Sequence, residues 1–311
     1  MDKFVPLKEH TTYKIGGPAA YFVEAKTTKD IKKAIDEWKN IGGDMKDVFV
    51  LGGGANVLFP DKGFDGLVMK ISFDGIKEIE PGVIEAGSGV PMKDVVEFAA
   101  ANGLSGLEWA AGLPGSFGGA IRGNAGAFRG EMKDFVTEVK SIKLSDPMTV
   151  MTRDVSECGF DYRTSRYKKE DGEIVISAVM KLTPGDEKNI RDEMDGYVKY
   201  REDHQPLEYP SAGSTFKNVD ADLITEKQRE DWVTVIKNDP FPVVPVAFLL
   251  SEAGLKGKRI GGAMISEKHP NFFINYDNAT ADDIKKLVLI AKEEVKKRFN
   301  IDIEPEIQIV G

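Results

Sequence analysis

LGGGANVLF, residues 51–59, puts three consecutive glycines between two apolar runs. Glycine has no Cβ, so it tolerates positive φ and lets another group approach the main chain closely. We therefore expect a loop whose bare backbone lies against another part of the molecule or against a ligand. Two interpretations fit this loop: a tight structural turn, and a cradle of backbone N–H groups for an anion such as a diphosphate.

Two common nucleotide-binding loops do not fit this stretch. The dinucleotide fingerprint G-x-G-x-x-G needs a helix that starts at once and an acidic residue about 20 positions later. Here Asn56 is followed by Val-Leu-Phe and Pro60, which is not a helix start. A P-loop needs a lysine followed by serine or threonine, and neither follows the glycines. Hydrolysis of a nucleoside triphosphate is therefore not expected.

A second glycine-dense segment, GLPGSFGGAIRGNAGAF at residues 112–128, bears on the choice between a structural turn and a ligand cradle. It lacks the alternation of a strand, so the chain carries two bare-backbone loops within its first half. Tight turns around a small sheet would explain either loop alone. The two together favour one long ligand lying between them, such as the dinucleotide FAD.

Composition excludes several classes of function. The chain has 311 residues, 41% of them hydrophobic, and a net charge of −9 with basic residues dispersed among acidic ones. A nucleic-acid surface needs a concentrated basic face, so none is expected. The single cysteine, Cys158, excludes an internal disulfide and favours a reducing compartment, the cytoplasm. No export signal or membrane-spanning run is visible.

Hydrophobic periodicity predicts an α+β fold. Ile31, Ala34, Ile35 and Trp38 share one face of a predicted helix, and TADDIKKLVLIAKEEVKKRF predicts another that begins with a capping box. IDIEPEIQIVG, residues 301–311, alternates like a strand, which would place Glu304 and Glu306 on one face. The three histidines, His10, His204 and His269, lack metal-ligand spacing, so no metal site is expected.

Three polar residues allow a functional and a structural interpretation each. Arg163 lies in the aromatic and polar run CGFDYRTSRY, Ser214 in YPSAGSTFKN, and Glu306 in the C-terminal stretch. The structural interpretations are a surface ion pair for Arg163, a polar turn for Ser214 and a solvated strand face for Glu306. The Ser214 context is not a G-x-S-x-G nucleophile elbow, so hydrolysis by a triad is not expected.

The ordered segments TTYKIGG, LGGGANVL, GLPGSFGGAIRGNAGAF, YRTSRY, PSAGSTFKN, AGLKGKRIGGAMISEKHPNFFIN and EPEIQIVG resemble the UDP-N-acetylenolpyruvoylglucosamine reductases across nearly the whole chain. The resemblance implies a vanillyl-alcohol-oxidase-type FAD-binding module of two α+β subdomains, residues 1–75 and 76–183. It also implies a C-terminal α+β substrate-binding domain, residues 184–311. The implied activity is NADPH-dependent reduction of UDP-N-acetylglucosamine enolpyruvate to UDP-N-acetylmuramate, in peptidoglycan precursor synthesis.

By the same resemblance, FAD binds non-covalently and NADPH supplies the hydride. Arg163 matches the family's active-site arginine, Ser214 the proton donor, and Glu306 the acid that polarises the intermediate. Arg201, Lys217 and Asn218 match the region that binds the substrate phosphates and uridine. The residues expected to line the cofactor are Gly52, Gly53, Gly54, Ala55, Asn56, Gly112, Gly115, Ser116, Gly118, Gly119 and Ala120.

The chain departs from the family pattern in a few places. Arg122 stands at a loop position that is usually uncharged, Pro270 where many relatives have a small residue, and Ala55 in place of a common serine. The segment Val219–Val243 is longer than expected. No extra tyrosine-bearing loop is evident, which indicates the branch that lacks it.

Two other functions fit the same scaffold: a flavin-dependent alcohol or sugar oxidase, and a non-catalytic binder of flavin or a UDP-sugar. We expect no nucleic-acid or membrane partner, and a monomer or weak homo-oligomer.

Overall fold

The structure, a computed structural model, describes residues 1–169 and 172–311. It divides into two compact units, and both are assembled from separate pieces of the chain. The first unit comprises Met1–Val5, Ala19–Gly54 and Phe64–Tyr200. The second unit comprises Pro6–Pro18, Ala55–Gly63 and Arg201–Gly311.

Strands and helices are interspersed along the described chain. The strands are β1 (Asp2–Pro6), β2 (Pro18–Ala25), β3 (Val48–Leu51), β4 (Val57–Leu58), β5 (Phe64–Ile71), β6 (Ile76–Glu80), β7 (Val83–Gly87), β8 (Leu104–Ser105), β9 (Gly126–Ala127), β10 (Gly130–Glu131), β11 (Val136–Lys143), β12 (Asp146–Asp154), β13 (Glu173–Lys181), β14 (Thr183–Pro184), β15 (Ser211–Ser214), β16 (Val219–Asp220), β17 (Lys237–Asn238), β18 (Pro242–Val244), β19 (Arg259–Ile260), β20 (Ala263–Ile265), β21 (Phe272–Asn275) and β22 (Gln308–Ile309). The α-helices are α1 (Thr28–Asn40), α2 (Met92–Ala101), α3 (Phe117–Gly123), α4 (Arg166–Lys169), α5 (Glu187–His204), α6 (Glu226–Asp231), α7 (Val246–Glu252) and α8 (Ala281–Phe299). Short 3-10 turns cover Leu7–His10, Met45–Asp47, Glu108–Ala110, Met132–Asp134, Val155–Cys158 and Ala221–Leu223.

Two sheets build the first unit. One has the order β1-β2-β5-β3, with β2 and β3 both parallel to β5; the other is antiparallel, with the order β12-β11-β13-β7-β6. The predicted apolar face of α1 is confirmed: Ile31, Ala34, Ile35 and Trp38 are all buried. They pack with Ile142 and residues of β13 on one face of the second sheet, and α2 and α3 pack on the other. Burial on both faces explains why apolar residues occupy successive positions of β13, at 174–176 and 178–180.

The second unit packs α7 and α8 against the antiparallel sheet β15-β21-β20-β19. The predicted capping box of α8 is confirmed, with Thr280 and Asp283 bonding reciprocally. The Asp61 carboxylate accepts two further N–H bonds, from Ala281 at 2.8 Å and Asp282 at 3.2 Å. These bonds satisfy N–H groups that a helix start leaves unpaired, so the helix end is fixed by a residue far away in sequence.

The additional segment Val219–Val243 is folded onto the second unit. Its strands β16, β18 and β17 form a small antiparallel sheet. Trp232 packs edge-on against Phe248 of α7 and Phe299 of α8, with ring centroids 5.4 and 5.6 Å apart. The segment therefore extends the core of this unit.

The C-terminal stretch differs from the sequence prediction. Only Gln308–Ile309 forms a strand, parallel to β4, and Pro305 makes an isolated bridge to Phe216. The strand prediction is therefore wrong for most of residues 301–310. Ile301, Ile303 and Ile307 are buried in the core of the second unit, so their spacing reflects burial of an extended chain and not a ladder of backbone bonds.

The predicted domain bounds 1–75, 76–183 and 184–311 stay a prediction. The last piece of the first compact unit ends at Tyr200 and that of the second begins at Arg201, so the division falls within α5. Among the described residues, no helix combines the length and the apolar character needed to cross a membrane.

Candidate active site

The two glycine-rich loops predicted from the sequence meet in the first unit. The N–H of Gly53 donates to Ser116 Oγ at 3.1 Å. A Cβ at Gly53 would lie 2.5 Å from the Ser116 nitrogen, and one at Gly52 would lie 2.8 Å from Ser116 Oγ. The contact at Gly53 is with backbone, so a side chain there would push the two loops apart, whereas the contact at Gly52 is with a hydroxyl that can rotate. The close approach of the second loop thus requires glycine most strictly at residue 53.

A third turn, Gly87-Ser88-Gly89 between β7 and α2, lies against the second loop. The Gly118 N–H donates to the Ser88 carbonyl at 2.8 Å, and a Cβ at Gly89 would lie 2.4 Å from Ser72 Cα. Ser88 Oγ is buried and has no hydrogen-bond partner among the described residues. A buried hydroxyl without a partner is costly, so a ligand atom is a natural partner here. The sequence analysis missed this turn, although its G-S-G pattern was the signal.

A cavity of about 290 Å³ opens at the meeting point of these loops. Gly52, Gly53, Gly89 and Ser116 line it together with Lys26 and Lys70. The N–H groups of Gly53 and Gly118 already have protein partners, so the two lysines contribute positive charge that the sequence analysis did not assign. The Lys70 ammonium also lies 3.7 Å from the Glu24 carboxylate. The carboxylates of Glu24 and Asp74 line the same cavity, so the parts of the lining that fit a diphosphate are the glycine backbone and the two ammonium groups.

The other residues predicted to line the cofactor serve different local roles. Gly112 and Gly115 have φ of +78° and +101°, so they form turns that favour glycine. Ser116 caps α3 by accepting from Gly119 N–H, and Ala120 is buried inside that helix. Gly54 is buried at φ +67°. The remaining two, Ala55 and Asn56, belong to the second unit.

Arg163 lies at the tip of a tight hairpin in the first unit. Asp161 and Thr164 exchange both backbone hydrogen bonds at 3.1 Å, which leaves Tyr162 and Arg163 as the two turn residues. Arg163 has φ +53°, a conformation that costs about 1 kcal/mol for a residue with a side chain. Strain of this kind persists where the surroundings fix it and is frequent at functional sites.

Three contacts fix this hairpin. The Lys168 ammonium donates to the Arg163 carbonyl at 2.8 Å, and Arg163 Nη2 donates to the Gly126 carbonyl at 2.7 Å. The buried Asn124 amide donates to the Asp161 carbonyl at 3.1 Å. Gly126 lies within the second glycine-dense segment, so the guanidinium is oriented by the same segment that contributes Ser116 to the cavity.

Ser214 ends β15 in the second unit, directly after a bulge. Ser211 pairs with Ile274 and Ser214 with Phe272, so β15 has one residue more than β21 over this interval. Gly213 adopts φ +73° within it. A bulge redirects the side chains that follow it. The direction of the Ser214 side chain therefore depends on the conformation of Gly213. The Ser214 side chain is half-buried.

Glu306 lies beside Ser214 in the same unit. The Glu306 N–H donates to the carbonyl of Thr215, the residue after Ser214, at 2.8 Å. The Asn56 side-chain amide donates to the Glu306 carbonyl at 3.1 Å, and the Gln308 N–H donates to the Asn56 carbonyl at 3.0 Å. Asn56 therefore supports the Glu306 backbone. The structure brings Ser214 and Glu306 together, and it describes Arg163 in the other unit.

The residues predicted to bind substrate all have protein contacts. Arg201 is 6% exposed, and burial lowers the pKa of its guanidinium. The Lys217 ammonium pairs with Glu304 at 2.7 Å. Asn218 Oδ1 accepts from Val246 N–H at the start of α7. Over the described part of the chain, no group of three or more His, Cys, Asp or Glu residues is placed to hold a metal ion.

Comparison with known proteins decides the family. Residues 19–149 match the model of an FAD binding domain, and residues 205–310 match that of the UDP-N-acetylenolpyruvoylglucosamine reductase C-terminal domain. The reductase of this name from Clostridium tetani is 36% identical over 98% of this chain and 90% of its own length. That from Agathobacter rectalis is 38% identical over 98% and 92%. The chain belongs to the UDP-N-acetylenolpyruvoylglucosamine reductase family.

A solved structure agrees with this membership. The crystal structure of the reductase from Thermus caldophilus aligns with a TM-score of 0.77 and 29% identity, over 99% of this chain and 98% of that one. The predicted α+β fold is thus confirmed, with an FAD-binding domain followed by the family's C-terminal domain. The chain is a flavin-dependent oxidoreductase. Ser214 and Glu306 fall within the matched C-terminal domain, whereas Arg163 and Arg201 lie between the two matches.

Proposed function

We propose that this chain reduces UDP-N-acetylglucosamine enolpyruvate to UDP-N-acetylmuramate, a peptidoglycan precursor, with NADPH as the reductant. Relatives along the whole chain are named UDP-N-acetylenolpyruvoylglucosamine reductase. The observation that carries the proposal is the pairing of the Glu306 segment with the Ser214 strand in a chain that also has a glycine-lined cavity for FAD. One chain thus holds a candidate acid, a proton donor and a cofactor cradle.

FAD is held non-covalently in this proposal. Gly52–Gly54 and Gly115–Gly119 would approach the diphosphate with main-chain atoms, and Lys26 and Lys70 would balance its charge. The unpaired Ser88 hydroxyl would donate to a ligand oxygen. When bound, FAD supplies a carrier that takes hydride from NADPH and delivers it to the terminal vinyl carbon of the substrate.

Arg163 stabilises the charge that develops on the substrate. Hydride addition breaks the carbon–carbon π bond, and the displaced electron pair moves toward the neighbouring carbon and its carboxylate. The guanidinium is always charged, and its fork of donors matches a carboxylate. A donor fixed in advance by Gly126 and Lys168 needs no reorganisation during the reaction. The negative charge near the carboxylate is greater in the transition state than in the bound substrate. Arg163 therefore stabilises the transition state more than the substrate and lowers the barrier.

Ser214 and Glu306 complete the addition. The Ser214 hydroxyl donates a proton to the carbon next to the carboxylate, and the serine regains a proton from solvent. A hydroxyl is a weak acid, so it acts only on a basic carbanion-like centre and with help from neighbours. Glu306, in its protonated form, donates a hydrogen bond to the developing enolate. The product gains one hydride and one proton across the former double bond.

Arg201, Lys217 and Asn218 bind the diphosphate and uridine of the substrate in this proposal. Lys217 would exchange its ion pair with Glu304 for a phosphate oxygen, which costs little because the Glu304 carboxylate is 72% exposed. Arg201 keeps its charge in a buried setting, as a buried phosphate contact requires.

The wider assignments are proposals as well. We place the chain in the cytoplasm, supported by its single, free and buried cysteine Cys158. We assign it to the branch without the tyrosine loop, as a monomer or weak homo-oligomer with no nucleic-acid or membrane partner. Its net charge of −9 is consistent with the absence of a nucleic-acid partner.

Product analysis tests the activity. Purified protein incubated with NADPH and UDP-N-acetylglucosamine enolpyruvate without oxygen is expected to consume one NADPH per molecule of UDP-N-acetylmuramate, identified by mass. Ser214→Ala is expected to slow this turnover while flavin reduction by NADPH stays near normal. Absence of UDP-N-acetylmuramate from the anaerobic reaction, with the reduced flavin left unoxidised by the sugar nucleotide, would contradict the proposal.

A further inference from the structure

Asn271 is a buried amide that bonds both backbone groups of Phe216, two residues after the proposed catalytic serine, Ser214. It is 3% exposed and directly precedes β21. Its Oδ1 accepts from the Phe216 N–H at 3.0 Å, and its Nδ2 donates to the Phe216 carbonyl at 2.8 Å. The Asn271 main-chain carbonyl also accepts from the Thr215 N–H at 2.7 Å. Asn271 thus makes three bonds to the two residues that follow Ser214.

The Asn271 side chain makes the hydrogen bonds to Phe216 that a neighbouring strand would otherwise make. On one side, residues 215–217 pair with the Glu306 segment: Glu306 N–H donates to Thr215, and Lys217 N–H donates to Glu304. In an extended chain, successive residues point their backbone groups to opposite sides. The N–H and carbonyl of Phe216 therefore face away from Glu306. The Asn271 side chain takes the place that a neighbouring strand would occupy there.

The geometry makes Asn271 a shared support for both catalytic groups of the second unit. Ser214 precedes the segment that Asn271 holds, and Glu306 is bonded to the opposite edge of that segment. Without the amide, the buried Phe216 N–H and carbonyl would lack partners, a state that proteins avoid. The segment would shift to pair these groups, and Ser214 and Glu306 would shift with it.

We propose that Asn271 is a positioning residue for the protonation step: it fixes the Ser214 hydroxyl and the Glu306 carboxyl relative to the substrate carbon. This inference rests on the proposed function, which supplies the roles of Ser214 and Glu306. Asn271 acts through the backbone of Thr215 and Phe216 and does not touch the substrate. Small displacements of a reacting group are enough to slow a reaction by about a hundredfold.

Asn275, the last residue of β21, provides a matched control. It is also an asparagine with both amide atoms bonded to backbone: Nδ2 donates to the Tyr13 carbonyl at 3.1 Å, and Oδ1 accepts from Ala279 N–H at 2.8 Å. Neither contact involves residues 214–217 or Glu306. Asn271→Asp and Asn275→Asp make the same chemical change, replacing the donating NH₂ by an oxygen of nearly the same size. Asn275 is less buried than Asn271, so the stability of each variant is measured alongside its activity.

The test measures the two half-reactions of the FAD-loaded enzyme separately, with thermal unfolding of each variant. Asn271→Asp is expected to leave flavin reduction by NADPH unchanged and to slow reoxidation by the enolpyruvyl substrate by about tenfold to a hundredfold. The solvent deuterium isotope effect on reoxidation is expected to rise, because proton transfer becomes limiting. Asn275→Asp is expected to change neither rate. Equal effects of the two substitutions would overturn the inference.

Two further measurements separate the inference from the function on which it rests. Amide hydrogen exchange of the unliganded protein is expected to speed up in residues 214–217 for Asn271→Asp only; unchanged exchange would overturn the inference. In a Ser214→Ala background, Asn271→Asp is expected to add little further slowing. Additive slowing would show that Asn271 acts by another route. If Ser214→Ala alone leaves reoxidation unchanged, the proton-donor role itself is wrong. Asn271→Ser replaces the aspartate variant if that variant does not fold.

Discussion

At the scale of residues, the glycines at the first loop are explained by what touches them. Their number predicted a close approach by another group, and the structure shows that this group is Ser116 of the second loop. Sequence alone could not supply that partner, because it lies 63 positions away. The same limit applies to Arg163, whose positive φ is fixed by Lys168 and Asn124. The sequence indicated that these residues were candidates for a functional site, but it did not show which residues contact them.

Gly53→Ala is expected to weaken FAD binding. The new Cβ would lie 2.5 Å from the Ser116 nitrogen and 2.7 Å from Gly115 Cα, so the two loops must separate. Overpacking of this kind costs about 1–3 kcal/mol, or roughly tenfold to a hundredfold in the dissociation constant. Fluorescence titration of the flavin-free protein with FAD measures the effect.

Gly123→Ala is the control for this experiment. A Cβ at Gly123, in α3, meets nothing within 4 Å, and alanine favours a helix over glycine. FAD affinity should stay at the unsubstituted value. The account of the loops fails if Gly53→Ala binds FAD as tightly as Gly123→Ala does.

At the scale of elements, periodic segments were predictable and irregular ones were not. The faces and caps of α1 and α8 follow from spacing and capping chemistry that act within a few residues. The stretch after α8 has the alternation of a strand, yet Ile301 and Ile303 reach the core with no ladder beside them. Alternation of apolar and polar residues indicates which side chains are buried. An extended chain can bury them without hydrogen bonds to a neighbouring strand.

The turn between β20 and β21 should make the protein sensitive to acid. It contains His269, whose pKa is lowered by burial from 6.5 to about 4. The unfolded chain therefore takes up a proton at a pH where the folded ring stays neutral, so the free energy of unfolding falls as pH drops through this window. The loss is about 2 kcal/mol between about pH 7 and pH 5.

Urea unfolding at several pH values measures this loss. His269→Gln removes the titrating ring, and its stability should fall less over the same interval, with the difference between the two proteins closing as pH drops. Parallel pH profiles for the two proteins would show that His269 does not contribute.

At the scale of the whole molecule, two compact units each draw on distant parts of one chain. The second unit takes Pro6–Pro18 and Ala55–Gly63 from the N-terminal region, so Asp61 caps α8 and Asn56 supports Glu306. The predicted domain bounds are contiguous, because the order of motifs along a sequence does not show which distant segments pack together. The order of the motifs along the chain was nevertheless sufficient to predict the family, since that order does not depend on knowing which segments meet.

A crystal structure of the chain with FAD and the enolpyruvyl sugar nucleotide bound is the most direct test of how the proposed site works. We expect the flavin diphosphate between residues 52–54 and 115–119, with Lys26 or Lys70 beside it. The substrate carboxylate should contact Arg163, with the Ser214 hydroxyl and the Glu306 carboxyl within hydrogen-bond distance of the reacting end. A diphosphate bound away from both glycine loops, or a substrate that leaves Ser214 and Arg163 on separate surfaces, would contradict this account.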